Sequence, residues 1–329
     1  MNKQPPTIWD MLASNEQNEK QQGVKIMNLH KRIRRLAFVL AAVGLMIGHA
    51  LVHADYEQPA PELAPEQGIG EGTDSTASFA FPTVYVSAPG TGNANGTGYA
   101  DEDIMKYQSG TGAWSKAFDG TNAGLPDAAD IDALTLTNNG PLVFLMSFDN
   151  PTAVPGLGTV DDSDVVAYNT ISGTWTLYLD GSEHDLTTNA EDIDGLTFSP
   201  GGFLVLSTSG NFVVKALGGG TLRGADEDLF SLVNAATDEF TLWLDGAAVG
   251  LQGSNDINAV SFLNVDDSLV DSARYIVPKA GFTLPNGVAI GANDVSEQVW
   301  FQNGGMEYYK KYDNSAIGFA QIDALEVVK

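Results

Sequence analysis

Aspartates recur in this chain in pairs separated by one residue. One series is Asp130 and Asp132, Asp192 and Asp194, Asp256 with Asn258, and Asp323; a second is Asp101 and Asp103, Asp162 and Asp164, Asp226 and Asp228. Carboxylates held this close repel and raise each other's pKa unless a cation or hydrogen-bond donors compensate. An oxygen-only set of Asp, Asn and backbone carbonyls suits calcium, which takes six to eight such ligands. Two carboxylates at a set separation also suffice for glycoside hydrolysis. The third reading is structural, because Asp in a tight turn accepts hydrogen bonds from backbone N–H groups. For any single Asp, cation and turn remain alternatives.

Other chemistries are excluded by composition. The chain has no cysteine, so disulfides, thiolate metal sites and cysteine nucleophiles are ruled out. Of its four histidines, His30, His49 and His53 lie in the first 54 residues, which leaves His184 alone in the rest. A His-rich metal centre and a GxSxG nucleophile elbow are both missing. His184, in the stretch DGSEHDL, reads as a solvated loop histidine rather than a general base.

The aspartates head a repeated unit. DIDAL (130–134), DIDGL (192–196), DINAV (256–260) and QIDAL (321–325) place their second polar position at 132, 194, 258 and 323, spacings of 62, 64 and 65. A second element is VYVS (84–87), FLMS (144–147), LVLS (204–207) and RYIV (274–277). A third is DEDIMKY (101–107), DSDVVAY (162–168) and DEDLFSL (226–232), with EQVWF (297–301) as a degenerate copy. The fourth is AWSKAFDG (113–120), TWTLYLDG (174–181), EFTLWLDG (239–246) and EYYKKYDN (307–314), sharing one aromatic position at Trp114, Trp175, Phe240 and Tyr308.

Each element alternates apolar with polar residues and is bounded by Gly, Asn, Asp or Pro, as strands are. Four short strands in a repeat of about 60 residues predict a propeller blade. The fold class is therefore all-β, a four-bladed β-propeller over residues 79–329. QIDALEVV near the C-terminus supplies the innermost strand that the first blade lacks, closing the ring and hiding two strand edges. An open sandwich or solenoid of the same strands is the alternative. Up-and-down blades put the long connections, and with them both series of aspartates, on one face, as an inner and an outer ring.

Residues 1–54 read as a signal peptide: KRIRR (31–35), the apolar run 36–47, and Val52 and Ala54 at the cleavage positions, with Met27 an alternative start. The twelve-residue run is short for a membrane span, so a retained anchor is the lesser reading. Residues 55–78, rich in Pro, Glu and Gly, read as a flexible linker. Beyond residue 54 there remain 9 basic and 39 acidic residues, a formal −30. Such a surface repels nucleic acid and anionic membranes and attracts cations.

From about Phe81 onward the repeat resembles a class of secreted bacterial proteins with tandem DxDAL, DED and W-x-L-x-FDG units. That resemblance implies a secreted repeat scaffold and no particular reaction. The chain is more loosely similar to hemopexin-like domains, four-bladed propellers whose innermost strands begin with Asp-Ala near an ion-holding channel. The matching positions are Asp132-Ala133, Asp194-Gly195, Asn258-Ala259 and Asp323-Ala324, but the blades here are longer and no cysteines link the first and last. The expected function is that of a secreted, non-catalytic calcium-binding protein, structural or adhesive at the cell surface. Its partners would be calcium and either further copies of itself, an extracellular polysaccharide or a surface protein. A carboxylate-based glycosidase or a lectin on the same scaffold is the alternative.

Overall fold

The structure is a computed structural model that describes residues 83–328 apart from 138–141, 254, 265–269, 302–305, 314–318 and 320. The signal-peptide and linker readings lie outside these residues. In chain order, β1 (Thr83–Ser87), the hairpin β2 (Gly92–Ala94) and β3 (Thr97–Tyr99), β4 (Ile104–Gln108) and β5 (Ala113–Phe118) build the first blade. The second holds β6 (Ile131–Thr137), β7 (Val143–Phe148), β8 (Thr152–Val154), β9 (Gly158–Val160), β10 (Val165–Asn169) and β11 (Thr174–Leu179). The third holds β12 (Gly195–Phe198), β13 (Leu204–Ser207), β14 (Phe212–Lys215), β15 (Thr221–Gly224), β16 (Leu229–Asn234) and β17 (Glu239–Leu244). The fourth holds β18 (Ile257–Asn264), β19 (Val270–Pro278), β20 (Phe282–Thr283), β21 (Ala289–Ile290), β22 (Val295–Phe301) and β23 (Met306–Tyr312), and the ring ends on β24 (Ala324–Val328).

The sheets are β24-β1-β4-β5, β6-β7-β10-β11, β12-β13-β16-β17 and β18-β19-β22-β23, all antiparallel. This is a four-bladed β-propeller, with β6, β12, β18 and β24 side by side around the axis. Closure is as expected: β24 pairs with β1 from Thr83↔Val328 to Ser87↔Ala324. Four apolar clusters fill the four spaces between blades, for instance Phe118, Phe144, Met146 and Trp175 between the first two. At about 1.5–3 kcal/mol for each large side chain buried, these clusters are the main source of stability.

Two features differ from the sequence reading. Each long connection from the second to the third sheet strand carries a two-stranded hairpin of its own, β2-β3, β8-β9, β14-β15 or β20-β21. The first turns through Asn95 and Gly96, both at positive φ, as a tight hairpin requires. The fourth copy of the third element is also misplaced: β22 begins at Val295, so Asp294, and not the stretch EQVWF, stands where Asp103, Asp164 and Asp228 stand. The apolar residues Val299, Trp300 and Phe301 cluster at the far end of β22, and no second Asp precedes Asp294 at the D-x-D spacing, so the head of this strand is unmarked.

The Asp-Gly that closes three of the fourth strands has a steric cause. A Cβ on Gly120, Gly181 or Gly246 would strike the backbone carbonyl of Glu102, Ser163 or Glu227 respectively. The close approach ties the end of the outermost strand to the turn that carries the outer aspartates.

Candidate cation site at the channel mouth

The outer aspartates lie in tight turns that precede the third strand, so strand alternation does not govern them. Four equivalent turns are closed by backbone bonds, Asp103 N to Ala100 O (3.1 Å), Asp164 N to Asp161 O (3.1 Å), Asp228 N to Ala225 O (3.1 Å) and Asp294 N to Gly291 O (3.2 Å). In return, the Oδ2 of each Asp accepts from the N–H three residues back, at 2.9, 2.9, 3.0 and 2.7 Å. The Oδ1 of Asp103, Asp164 and Asp228 accepts from the Gly120, Gly181 and Gly246 N–H at 3.2, 2.9 and 3.0 Å. Lys116 adds an ion pair to Asp103 at 2.5 Å, and Lys310 one to Asp294 at 2.7 Å. For Asp103, Asp164 and Asp228 the turn role accounts for both oxygens.

The first outer aspartates act through their main chain. The carbonyls of Asp101, Asp162 and Asp226 accept from Ile131, Ile193 and Ile257 at 3.1, 3.2 and 3.2 Å, tying each outer turn to the inner strand of the next blade. Ser87 and Ser147 reinforce the junction by donating to the carbonyls of Asp101 and Asp162 at 3.3 and 2.9 Å.

The inner aspartates are brought together around the axis, and their oxygens are treated differently. Asp132, Asp149 and Asp192 each present a carboxylate oxygen, all within 4.8 Å of one another. Asp130 Oδ1 and Asp192 Oδ1 are buried without a hydrogen-bond partner, as are Asp194 Oδ2 and Asp256 Oδ1. Asp192, Asp194 and Asp256 are only 4–6% exposed. Asp323 keeps one donor, Gln321 Nε2 to Oδ1 at 3.0 Å, and Asn258 donates to Asn293 Oδ1 at 3.3 Å.

Electrostatics record the crowding. Burial, then the neighbouring carboxylates of Asp162 and Asp149, pushes Asp192 up to about 8. Burial followed by Asp101 and Asp149 takes Asp130 to about 6, and burial followed by Asp130 takes Asp323 to about 7. Asp132 and Asp194 are raised as well, by burial first and then by Asp192 and Asp256 respectively.

Three residues at this mouth escaped the sequence reading. Asp149 and Lys279 occupy the same place in blades two and four: their N–H groups donate to the Asp130 and Asp256 carbonyls at 3.1 and 2.8 Å, as Ser209 does to Asp192 at 2.9 Å. They sit two residues beyond the FLMS and RYIV elements, but a position that holds Asp in one blade and Lys in another leaves no repeat signal. Glu326, deeper in the channel on β24, accepts from Thr135 and Ser261 at 3.2 and 3.1 Å, and burial pushes it up to about 8. His184 is not the solvated residue expected; its ring packs edge-on against Phe240, and Nδ1 lies 3.5 Å from Asp238. Burial holds its pKa down.

No protein-family model and no curated protein matches the chain. Among solved structures, it is similar to a protein of unknown function from Bacteroides caccae, with 9% identity over 76% of this chain and 100% of that one and a TM-score of 0.35. It is also similar to the extracellular domain of a two-component system of B. thetaiotaomicron, with 12% identity, 78% of this chain, 37% of that one and a TM-score of 0.22. YCF48 bound to D1 peptide matches at 10% identity over 70% of this chain and 92% of that one, with a TM-score of 0.25. At such identities the likeness bears on no functional residue. No helix among the described residues is long and apolar enough to cross a membrane.

Proposed function

We propose that this protein is a secreted, non-catalytic β-propeller that binds calcium at its channel mouth and serves a structural or adhesive role at the cell surface. The observation that carries the calcium reading is the Asp132, Asp149 and Asp192 cluster, in which Asp192 keeps a buried oxygen without a donor. Leaving such an oxygen unpaired is costly, and a cation would remove the cost. The donor set fits calcium: the ligands are carboxylate oxygens, Asp149 is exposed to solvent, and water completes a coordination number of six to eight.

Secretion is supported by the sequence of residues 31–54 and by the acidic balance beyond them. Repetition of the acidic pairs from blade to blade favours a structural role over a unique catalytic pocket. Metal analysis of the purified protein, with melting curves in calcium and in chelator, tests the reading. Protein that is metal-free and melts identically in both would refute it. The glycosidase reading has one observation in its favour, the elevated pKa of Asp192 near Asp149, which suits a general acid. Turnover on a glycan panel that is lost in Asp192→Asn would establish it.

A further inference from the structure

The ring of inner carboxylates divides into two halves. On the side of blades two and three, Asp132, Asp149 and Asp192 converge with no ion pair to any of them among the described residues, the Lys279 charge reaching Asp132 and Asp192 only through space. On the side of blade four, Lys279 Nζ pairs with Asp256 Oδ2 (3.1 Å), the Asp256 carboxyl lies next to that of Asp194, and Ser207 Oγ donates to Asp194 Oδ1 (2.8 Å). Lys279 and Asp149 hold the same backbone position in their blades, so the site that presents a ligand in one blade presents an ammonium in the other.

We infer that Lys279 is a built-in counter-ion that restricts the channel mouth to a single divalent cation, held by Asp132, Asp149 and Asp192. The inference rests on the calcium reading above and assigns Asp256 to the lysine, not to the ion. The Lys279 stem is largely exposed, its side chain 62% accessible, so the ammonium covers Asp256 from the solvent side without filling space in the core. An ammonium there repels a second dication and neutralises the carboxylates that would otherwise bind one.

The test is the number of calcium ions bound per chain, measured by equilibrium dialysis of the full protein with radioactive calcium. Wild type and Lys279→Arg should bind one at the mouth, and Lys279→Met should bind two. A Lys279→Met count equal to wild type overturns the inference. Two further variants do not rely on that protein folding: Asp149→Ala should lose the wild-type ion, and Asp256→Asn should keep it. Retention in the first or loss in the second also overturns the inference. A wild-type count of zero would instead refute the calcium reading itself.

Discussion

The outer and inner rings share a sequence signature, two aspartates one residue apart, and do opposite things with it. In the outer ring Asp164 accepts from Asp161 N–H at Oδ2 and from Gly181 N–H at Oδ1, so both oxygens meet backbone donors even though burial still raises its pKa. In the inner ring Asp192 is more deeply buried, yet its Oδ1 meets no donor. What separates the two is the local chain path. A four-residue turn aims N–H groups back at the outer Asp, whereas the inner pair precedes or opens a strand whose N–H groups are already committed to a neighbouring strand. A D-x-D spacing therefore marks a site for a cation only where turn donors are lacking.

The largest way to break this comparison is to open the ring on which both sets depend. Deleting Gln321–Lys329 removes β24, exposes the edge of β1, and takes away Asp323. Aggregation or loss of cooperative unfolding is expected, read by size exclusion and thermal melts; a soluble truncation with the parent's stability would contradict closure.

Next in size is the ion. At a hundredfold excess over Kd, calcium should stabilise the fold by about 2.7 kcal/mol. Asp192→Asn should erase most of that increment while leaving the chelated protein no less stable, since it relieves like-charge repulsion. Asp164→Ala should do the reverse, costing about 1–3 kcal/mol by orphaning two turn N–H groups, equally with calcium and with chelator. An Asp164→Ala loss that appeared only in calcium would move the ion to the outer ring.

The last test is pH. The inner aspartates have folded pKa values raised above their unfolded ones, with Asp130 at about 6, Asp323 at about 7 and Asp192 at about 8. The folded form then holds protons that the unfolded chain has released, so this stabilisation is full below pH 4 and is lost as pH rises to 8. In chelator the Tm should fall between pH 5 and 8 by ~2–4 °C for each kcal/mol lost. Calcium should flatten that fall, because the ion binds the deprotonated form. A chelated Tm that rises over the same range would show the carboxylates already neutralised by protein donors.

How far the fold was legible depended on repetition. The four sheet strands per blade and the closure by QIDALEVV repeat at near-constant spacing, so they were visible. The hairpins are marked only by their turns, NANG, VPGLG, LGGG and LPNG, which share nothing but a final Gly at positive φ, too common a signal in a chain with 36 Gly. Asp294 was displaced because the apolar residues of VSEQVWF cluster at 299–301, four residues beyond the start of the strand at Val295. Asp149 and Lys279 do not repeat at all, and their importance lies in the two blades differing. The outer turns resisted because an Asp that caps a turn and an Asp that binds a metal have the same spelling until the N–H directions are known.

Closure by β24 also has a kinetic consequence. Thr83 pairs with Val328, 245 residues further along, whereas sheet strands elsewhere pair with close neighbours in sequence. The second, third and fourth blades can form from local hairpins as they are synthesised, but the first waits with one edge bare until the distant segment arrives. Its loop-closure entropy is the largest in the molecule, and pairings of such high sequence separation are slow to form. The slowest refolding phase should therefore belong to blade one. In that interval its bare edge is also the natural acceptor for β24 from a second chain, which would make a strand-exchanged dimer from the contacts that close the monomer.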